Sequence, residues 1–323
     1  MMELSGKLKH LFVSRQWVFL VLVMVIISIF TGAVNPRFLT IRNLTNLLSQ
    51  VAVIGLLACG ATILIISGEI DISAGANVGL TACIAAILMR SGMSSPLAAL
   101  LGILVAIVCS TLIGVGCIIF RAPSFIISLA SISVFKGVAL ALTSGTLQMI
   151  MGRMEYLGSG TVLGFIPIIF MITLLGYVAT HAILSYTKLG RRVYAIGDNP
   201  RAAFLAGINI ARNKIAFFAL NGFFVGLAAI LLLARVGAAQ PTTGSGMELQ
   251  AIGAVVIGGT PMTGGKGNVV GTFFGVLLWG LIANALNMLG ISPFWQEATM
   301  GSLIIVAVAI TSLRALAEKS LLA

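Results

Sequence analysis

Two acidic residues, Glu69 and Asp71, lie two positions apart in the polar stretch SGEID, between long apolar runs. Acidic side chains at membrane depth are costly and usually functional. Here they would form a gate, or contact a partner on the cytoplasmic side. The alternative is a solvated turn between two spans, in which Asp71 caps the helix that follows. The residues alone leave both interpretations open.

Four asparagines, Asn77, Asn221, Asn284 and Asn287, fall inside apolar runs. Asn284 and Asn287 are three residues apart, so they share one face of a helix. Amides that face a water-filled path would pass a hydroxyl-rich solute. Amides that hydrogen-bond neighbouring helices would only hold the bundle together, and the sequence does not separate the two roles.

The sequence contains no recognisable catalytic constellation. A GxxxxGK[ST] phosphate-binding loop is absent, and the nearest match, Gly264–Gly267, lacks the required spacing. HExxH and GxSxG are also absent, and the two histidines, His10 and His181, are far apart. The four cysteines lie in apolar runs without metal-ligand spacing, which indicates small core residues. We therefore expect no catalytic residue, no metal and no cofactor in this chain, and no ATP site.

The composition places these residues in a membrane. Hydrophobic residues make up 59% of the chain and charged residues only 8%, which is typical of a polytopic protein embedded in the lipid bilayer. Continuous apolar runs argue against a β-barrel, whose strands alternate in polarity. The net charge of +11 indicates cations collected in cytoplasmic loops, and we expect no nucleic-acid partner.

We predict a single transmembrane domain over residues 1–323, an all-α integral membrane bundle of about 10 spans. The excess of cations on one side indicates that both termini are cytoplasmic (N-in and C-in), with 1–16 as the N-terminal segment, 186–214 as a central loop and 313–323 as the tail. Glu248 is expected at the solvated outer end of a span. The predicted spans are 17–34, 44–66, 73–89, 96–119, 124–143, 165–185, 215–235, 249–260, 269–289 and 294–312.

The segment 188–214 is the longest polar stretch of the chain, and a short helix is predicted within it. Asn199 is a good N-cap because its side chain can accept a hydrogen bond from the first turn. Pro200 fits the first helical position, where no N–H is required. Gly207 is placed to end the helix in the left-handed conformation. A rigid helix at this place would serve as a handle that another protein grips.

Two glycine-rich stretches, SGEIDISAGANVGLT (67–81) and GGTPMTGGKGNVVGT (258–272), align without gaps, and both lead into a span. Internal repeats of this kind are common in transporters. Chance similarity between two glycine-rich turns is the alternative.

Three stretches of the chain resemble the signature regions of the ribose-type ABC transporter permeases, the membrane subunits of importers for monosaccharides and autoinducer-2. They are SGEIDISAG in the first third, GRRVYAIGDNPRAAFLAGINI in the centre and AQPTTGSGMELQAIGAVVIGGTPMTGGKGNVVGT in the last third. Family members often read GGIDLS or SGIDLS where this chain has the additional acid Glu69.

The resemblance implies that Asp198–Gly207 is the family's cytoplasmic coupling helix. Phe204 and Leu205 would then be apolar anchors in a groove of a partner, and Arg201 a charged contact. The alternative is a solvated loop between spans that contacts no partner.

The resemblance also implies a bacterial inner-membrane importer with several subunits. A second permease copy or a paralogue completes the pore, and cytoplasmic subunits bind ATP and Mg. A periplasmic or lipid-anchored binding protein delivers the substrate, a monosaccharide or similar polyol such as a ribose-like sugar or autoinducer-2. The alternative function is a stand-alone secondary transporter or channel, a class that usually buries ionisable residues in its spans.

Overall fold

The computed structural model describes residues 16–292 and, beyond them, residues 294–296, 298–299, 301–303, 305–306 and 309. The predicted tail 313–323 and all of the N-terminal segment except residue 16 lie outside these residues. The helices with assigned bounds are α1 Gln16–Val34, α2 Ile41–Ile66, α3 Ala74–Arg90, α4 Ser95–Ile119, α5 Ser124–Thr143, α6 Glu155–Ser159, α7 Ile168–Tyr186, α8 Lys188–Asp198, α9 Pro200–Leu205, α10 Ile210–Val236, α11 Met247–Ile257 and α12 Val269–Met288. The remaining elements are a 3₁₀ turn, Pro36–Leu39, and the strands β1 Gln148–Met149, β2 Thr161–Val162, β3 Ile166–Pro167 and β4 Ala238–Ala239.

Helix α2 lies at the centre of the bundle. It packs against α10, α7, α12 and α11, and 83% of its apolar window is buried. Its residues are apolar or small on nearly every side, which is typical of a helix enclosed by others. Only 11% of the window of α1 is buried, and α1 therefore forms a peripheral helix whose apolar side chains are free to face lipid.

Two ends of the bundle are distinguished below. The end that carries residues 188–214 is called the basic face, and it also holds the C-terminal end of α2, since the amide of Gly265 and the α8 backbone both contact Ile66. The other end, the opposite face, holds the short strands. There β1 pairs with β4 in antiparallel register, Gln148 with Ala239, and β2 pairs with β3.

Among the described residues, seven helices are long and apolar enough to cross a membrane: α1, α2, α4, α5, α7, α10 and α12. The predicted all-α membrane architecture is confirmed, but the described residues do not reach about 10 full spans. Helices α3 and α11, at the predicted third and eighth spans, have 17 and 11 residues. An 11-residue helix rises only about 16 Å, about half of a bilayer core. The predicted tenth span, 294–312, is only partly covered, and its described residues are helical.

Two interruptions of the helices carry non-helical backbone into the interior. The first break, residues 67–73, separates α2 from α3, and the second, 237–246, separates α10 from α11. The N-terminal ends of α3 and α11 meet there, because a Cβ at Gly75 would overlap both the Glu248 carboxylate and the carbonyl of Gly244. Helices α3 and α11 therefore start inside the bundle, and α11, with 11 residues, is a half-helix.

Two hydroxyls of α5 satisfy backbone amides of the first break. The Oγ of Ser124 accepts from the N–H of Ile70 at 3.0 Å, and the Oγ of Ser128 accepts from the N–H of Ile72 at 3.3 Å. Four residues of a helix rise about 6 Å and two residues of an extended chain about 6.6 Å, so the two spacings match. Non-helical backbone at membrane depth is stable only when its polar groups are satisfied in this way.

Candidate functional site

The short helix α9 has the boundaries that the sequence predicts. The Oδ1 of Asn199 accepts a first-turn amide at 3.0 Å, and Pro200 occupies the first helical position. Gly207 has φ of +80°, and the amide of Ile208 donates to the carbonyl of Ala203 at 3.0 Å, which completes a Schellman motif. The helix is thus fixed at both ends by contacts within its own segment.

The outward side of α9 is apolar. Phe204 is 66% exposed and Leu205 is 79% exposed, whereas Ala203 is buried. Asp198 and Arg201 are also exposed, so two large apolar side chains stand beside one charge of each sign. Residues Asp198–Gly207 are called the α9 surface below. Full burial of each apolar side chain in a partner groove would contribute about 1.5–3 kcal/mol.

Helix α8, which precedes α9, is an element that the sequence analysis does not single out. The Oγ1 of Thr187 caps it by accepting from the N–H of Gly190 at 3.1 Å. Leu189, Val193 and Ile196 recur at helical spacing, and the last two are buried. A threonine N-cap followed by this apolar spacing is the signal that predicts the helix.

Tyr194 on α8 contacts the loop that precedes α12. Its hydroxyl donates to the carbonyl of Gly267 at 2.9 Å. Burial raises the pKa of the Tyr194 phenol, so the hydroxyl keeps the proton that it donates throughout the neutral pH range.

Asp71 lies in the interior of the bundle. Its side chain is 7% exposed. The Oδ2 accepts from the Nδ2 of Asn221 at 2.8 Å, and the Oδ1 accepts from the N–H and the hydroxyl of Ser73 at 2.9 and 2.6 Å. Asn221 is near the middle of α10, which places the carboxylate well inside the span rather than at its end. The expectation of a solvated turn is therefore wrong for Asp71.

Glu69 forms an ion pair at the start of the same break. Its Oε1 is 2.5 Å from the Nζ of Lys214, and the two side chains are 14% and 20% exposed. Lys214 and Asn221 both belong to α10, so both acids of the SGEID stretch contact one helix. The first break therefore runs alongside α10 from the basic face into the interior.

Asn77 and Asn221, two of the four span asparagines, are buried and hydrogen-bonded. The Nδ2 of Asn77 donates to the carbonyl of Ala106 and to the Oγ of Ser110, each at 3.2 Å. These bonds join α3 to α4, as the bond of Asn221 to Asp71 joins α10 to the first break. In the single chain both amides hold segments of the bundle together.

Asn284 and Asn287 differ although they share a helix. Asn284 is buried and forms a reciprocal amide pair with Asn43 of α2, with both N···O distances at 2.9 Å. Asn287 is exposed. Asn43 is not among the predicted site residues, because it lies at the edge of a predicted span, where a polar residue is ordinary.

Glu248 lies at the start of the half-helix α11, not at a solvated outer end. Its Oε1 accepts from the N–H of Gly246 at 3.2 Å, and its Oε2 is buried with no hydrogen-bond partner among the described residues. The expectation of a solvated end is wrong because the second break enters the bundle.

Among the residues that the structure covers, no group of three or more His, Cys, Asp or Glu could hold a metal ion.

Comparison with known proteins identifies the family. The family described as "Branched-chain amino acid transport system / permease component" matches residues 43–308, a range that contains both breaks and the α9 surface. The chain belongs to this permease family. No solved structure matches the permease.

Several relatives of the permease are similar over nearly their whole length. The ribose import permease protein RbsC of Bacillus subtilis (strain 168) is 39% identical over 286 residues, 88% of each chain. The protein of the same name in Escherichia coli (strain K12) is 36% identical over 299 residues, 90% of the permease and 91% of the relative. The xylose transport system permease protein XylH of Haemophilus influenzae is 33% identical over 356 residues, 91% of the permease and 95% of the relative.

These findings confirm the resemblance to ribose-type ABC permeases. The permease is a multi-pass membrane subunit of an ABC importer. Its structure has two unusual features at different depths. One is the exposed apolar helix α9 at the basic face, and the other is the buried carboxylate of Asp71 in the first break. The C-terminal end of α8, which leads into α9, contacts Ile66, the residue that precedes the first break.

Proposed function

We propose that the permease translocates a monosaccharide or similar small polyol, such as a ribose-like sugar or autoinducer-2, across the bacterial inner membrane. The support for a sugar is that relatives named as ribose and xylose permeases are 33–39% identical over most of both chains. The description of the family names branched-chain amino acids. Named relatives of this similarity are a more specific guide than the description of a broad family.

The proposed energy source is ATP, bound with Mg by separate cytoplasmic subunits. Those subunits dock on the α9 surface, where Phe204 and Leu205 enter a groove and Asp198 and Arg201 contact its rim. The observation that carries this docking is the exposure of two large apolar side chains on a helix capped at both ends.

The basic face is proposed to be cytoplasmic. It carries Arg121, Lys266 and the cations of 188–214. Cations concentrate in cytoplasmic loops, so both termini are assigned to the cytoplasm and 1–323 to one transmembrane domain. The opposite face then receives the periplasmic or lipid-anchored binding protein. The cations nearer the opposite face are Arg37, Arg42, Arg90, Arg153 and Arg235.

A second permease copy or a paralogue completes the pore in this proposal. The path between the two copies is lined in part by the span asparagines Asn77, Asn221, Asn284 and Asn287, which are released from their intrachain partners or reached by water when the pore opens. Glu69 and Asp71 form a gate in the cytoplasmic half of this path, with Glu69 near the basic face and Asp71 deeper in the bundle, and both contact α10 along the first break.

Reconstitution tests the proposal directly. Vesicles receive the permease alone, or the permease with the ATP-binding subunits and the binding protein encoded beside it. Uptake of labelled ribose, xylose, galactose, autoinducer-2 and leucine is then measured with and without ATP and Mg. We expect ATP-dependent uptake of a sugar or of autoinducer-2 only in the vesicles that contain the full set of subunits. If the vesicles take up leucine but none of these polyols, the proposed substrate class is overturned.

One feature of the permease is shared with stand-alone secondary transporters, the alternative function. Asp71 is a buried carboxylate of the kind that proton- or ion-coupled transporters use. The same vesicles distinguish the two functions, because a secondary transporter takes up substrate in the vesicles that contain the permease alone, driven by a proton or sodium gradient.

A further inference from the structure

The C-terminal end of α8 touches the interior of the bundle backbone to backbone. A Cβ at Gly197 would overlap the carbonyl oxygen of Ile66, the last residue of α2, and would lie 2.7 Å from the amide nitrogen of Gly265. Contacts this close are open only to glycine. The backbones of α8, of the end of α2 and of the loop before α12 therefore meet at one point.

Hydrogen bonds tie the same three segments together. The amide of Gly265 donates to the carbonyl of Ile66 at 2.8 Å, and the hydroxyl of Tyr194 donates to the carbonyl of Gly267 at 2.9 Å. The residues Ile66, Tyr194, Gly197, Gly265 and Gly267 are called the glycine joint. With the backbones already in contact, no side chain stands between them to absorb a displacement.

The glycine joint adjoins both the α9 surface and the first break. On one side, Asn199 is at once the C-cap of α8 and the N-cap of α9, so the two helices have no linker between them. On the other side, the first break starts at the residue after Ile66 and carries the ion pair of Glu69 and the buried Asp71.

The other connection of α9 leads to α10 rather than to the glycine joint. Residues 206–209 lead from α9 to α10, and Ala206, Gly207 and Asn209 are exposed. Asn209 caps α10 by accepting from the N–H of Arg212 at 2.9 Å, whereas the backbone contact with Ile66 lies on the α8 side, where Val193 and Ile196 are buried.

The geometry points to the glycine joint as the element that transmits displacement of the α9 surface to the first break, with Gly197 and Tyr194 as positioning residues. The inference rests on the proposed docking of the ATP-binding subunits on the α9 surface. Nucleotide binding by those subunits shifts α9 and α8 together, α8 carries the carbonyl of Ile66 with it, and the contacts of Glu69 and Asp71 with α10 change in response.

The test uses the complete complex in lipid nanodiscs. Gly197→Ala places a methyl group on the carbonyl of Ile66 and separates the joint, while the α9 surface keeps its sequence. Gly137→Ala is the matched control, since that glycine also lies in a helix and its Cβ would meet no atom within 4 Å. Amide hydrogen exchange over residues 67–73 is compared without nucleotide and with ATP and vanadate, alongside ATP hydrolysis and co-purification of the ATP-binding subunits.

We expect vanadate trapping to change exchange over 67–73 in the wild type and in Gly137→Ala. In Gly197→Ala that change falls by about tenfold, within the usual range of coupling between two sites, while the subunits still bind and hydrolyse ATP. A change of wild-type size in Gly197→Ala overturns the inference, as does an unresponsive wild type whose subunits are bound. Failure of the subunits to bind the wild type overturns the proposed function, and the inference with it.

Tyr194→Phe covers the case in which Gly197→Ala does not fold. It keeps the ring and removes only the hydrogen bond to the carbonyl of Gly267. We expect a severalfold smaller exchange response over 67–73 with subunit binding unchanged. Tyr156→Phe, at an 80% exposed tyrosine on the opposite face, is its control. Equal responses in the two variants overturn the role of Tyr194.

Discussion

The α9 surface and the first break distribute polarity in opposite ways. The α9 surface exposes Phe204 and Leu205, while the first break buries the carboxylate of Asp71. Each arrangement is unfavourable unless something compensates for it. In the first break Asn221 and Ser73 compensate within the chain, whereas no described residue covers the two apolar side chains of α9. The first break is therefore complete in one chain, and the α9 surface requires a partner.

This difference separates two kinds of mutational effect. Substitutions in the first break should change the stability of the permease itself. Substitutions on the α9 surface should leave stability unchanged and weaken the attachment of another subunit. Measuring both quantities for each variant tests the contrast.

Asp71→Ala should have the largest effect. It removes the acceptor for the amide of Asn221 and for the N–H of Ser73, and each buried donor left unsatisfied costs about 1–3 kcal/mol. We expect a loss of about 3 kcal/mol or more in the free energy of unfolding, measured as a lower melting temperature in detergent. Glu155→Ala, at an exposed acid of the opposite face, is the control. Equal melting temperatures for the two variants would show that the buried carboxylate does not stabilise the bundle.

Phe204→Asp should act on assembly alone. A charge at the centre of an apolar contact should weaken binding of the ATP-binding subunit by about 2 kcal/mol or more, or about thirtyfold, with an unchanged melting temperature. Binding is measured by titrating the purified subunit onto the permease. Met151→Asp, at an 81% exposed apolar residue of the opposite face, should bind normally. Undiminished co-purification with Phe204→Asp would refute the docking proposal.

The amide pair between Asn43 and Asn284 sharpens the contrast at a second buried site. A double-mutant cycle with alanine at both positions should give an interaction of about 1 kcal/mol, the usual value for hydrogen bonds between membrane helices. Unfolding in denaturing detergent supplies the four stabilities. Strict additivity of the two single substitutions would mean that the reciprocal amide bonds contribute nothing.

The ion pair between Glu69 and Lys214 should give the smallest effect. Its side chains are partly exposed, so its net contribution is expected to be less than about 1 kcal/mol and to weaken in high salt. Glu69→Lys should lower stability slightly, and the added substitution Lys214→Glu should restore it. If the double variant with the two charges exchanged is as unstable as Glu69→Lys, the geometry of the two side chains, rather than their opposite charges, determines the stability.

Much of this architecture could be predicted from local sequence. The capped helix of the α9 surface follows from Asn199, Pro200 and Gly207, whose conformational preferences act within one turn. Most span bounds agree with the structure to within a few residues, because apolar runs and their polar ends are local signals. The resemblance to ribose-type permeases depended on such contiguous stretches and is confirmed.

The first break could not be predicted in the same way. Its polar residues look like a solvated turn because the groups that satisfy them are distant, with Ser128 lying 56 positions from Ile72 and Asn221 lying 150 positions from Asp71. Only the packed bundle brings them together. The half-helix α11 was likewise predicted as a span, because the sequence of this 11-residue helix does not show how deep in the membrane it begins.

The late partners of α2 have a consequence for biosynthesis. Asn43 pairs with a residue 241 positions further along the chain, and Thr62 with one 210 positions away. The central helix is therefore synthesised before α12, which carries both partners, and until then Asn43 and Thr62 can donate only to the local carbonyls of Phe38 and Ala58. A nascent chain interrupted before α12 keeps these local bonds but lacks the two side-chain contacts that fix α2 against α12.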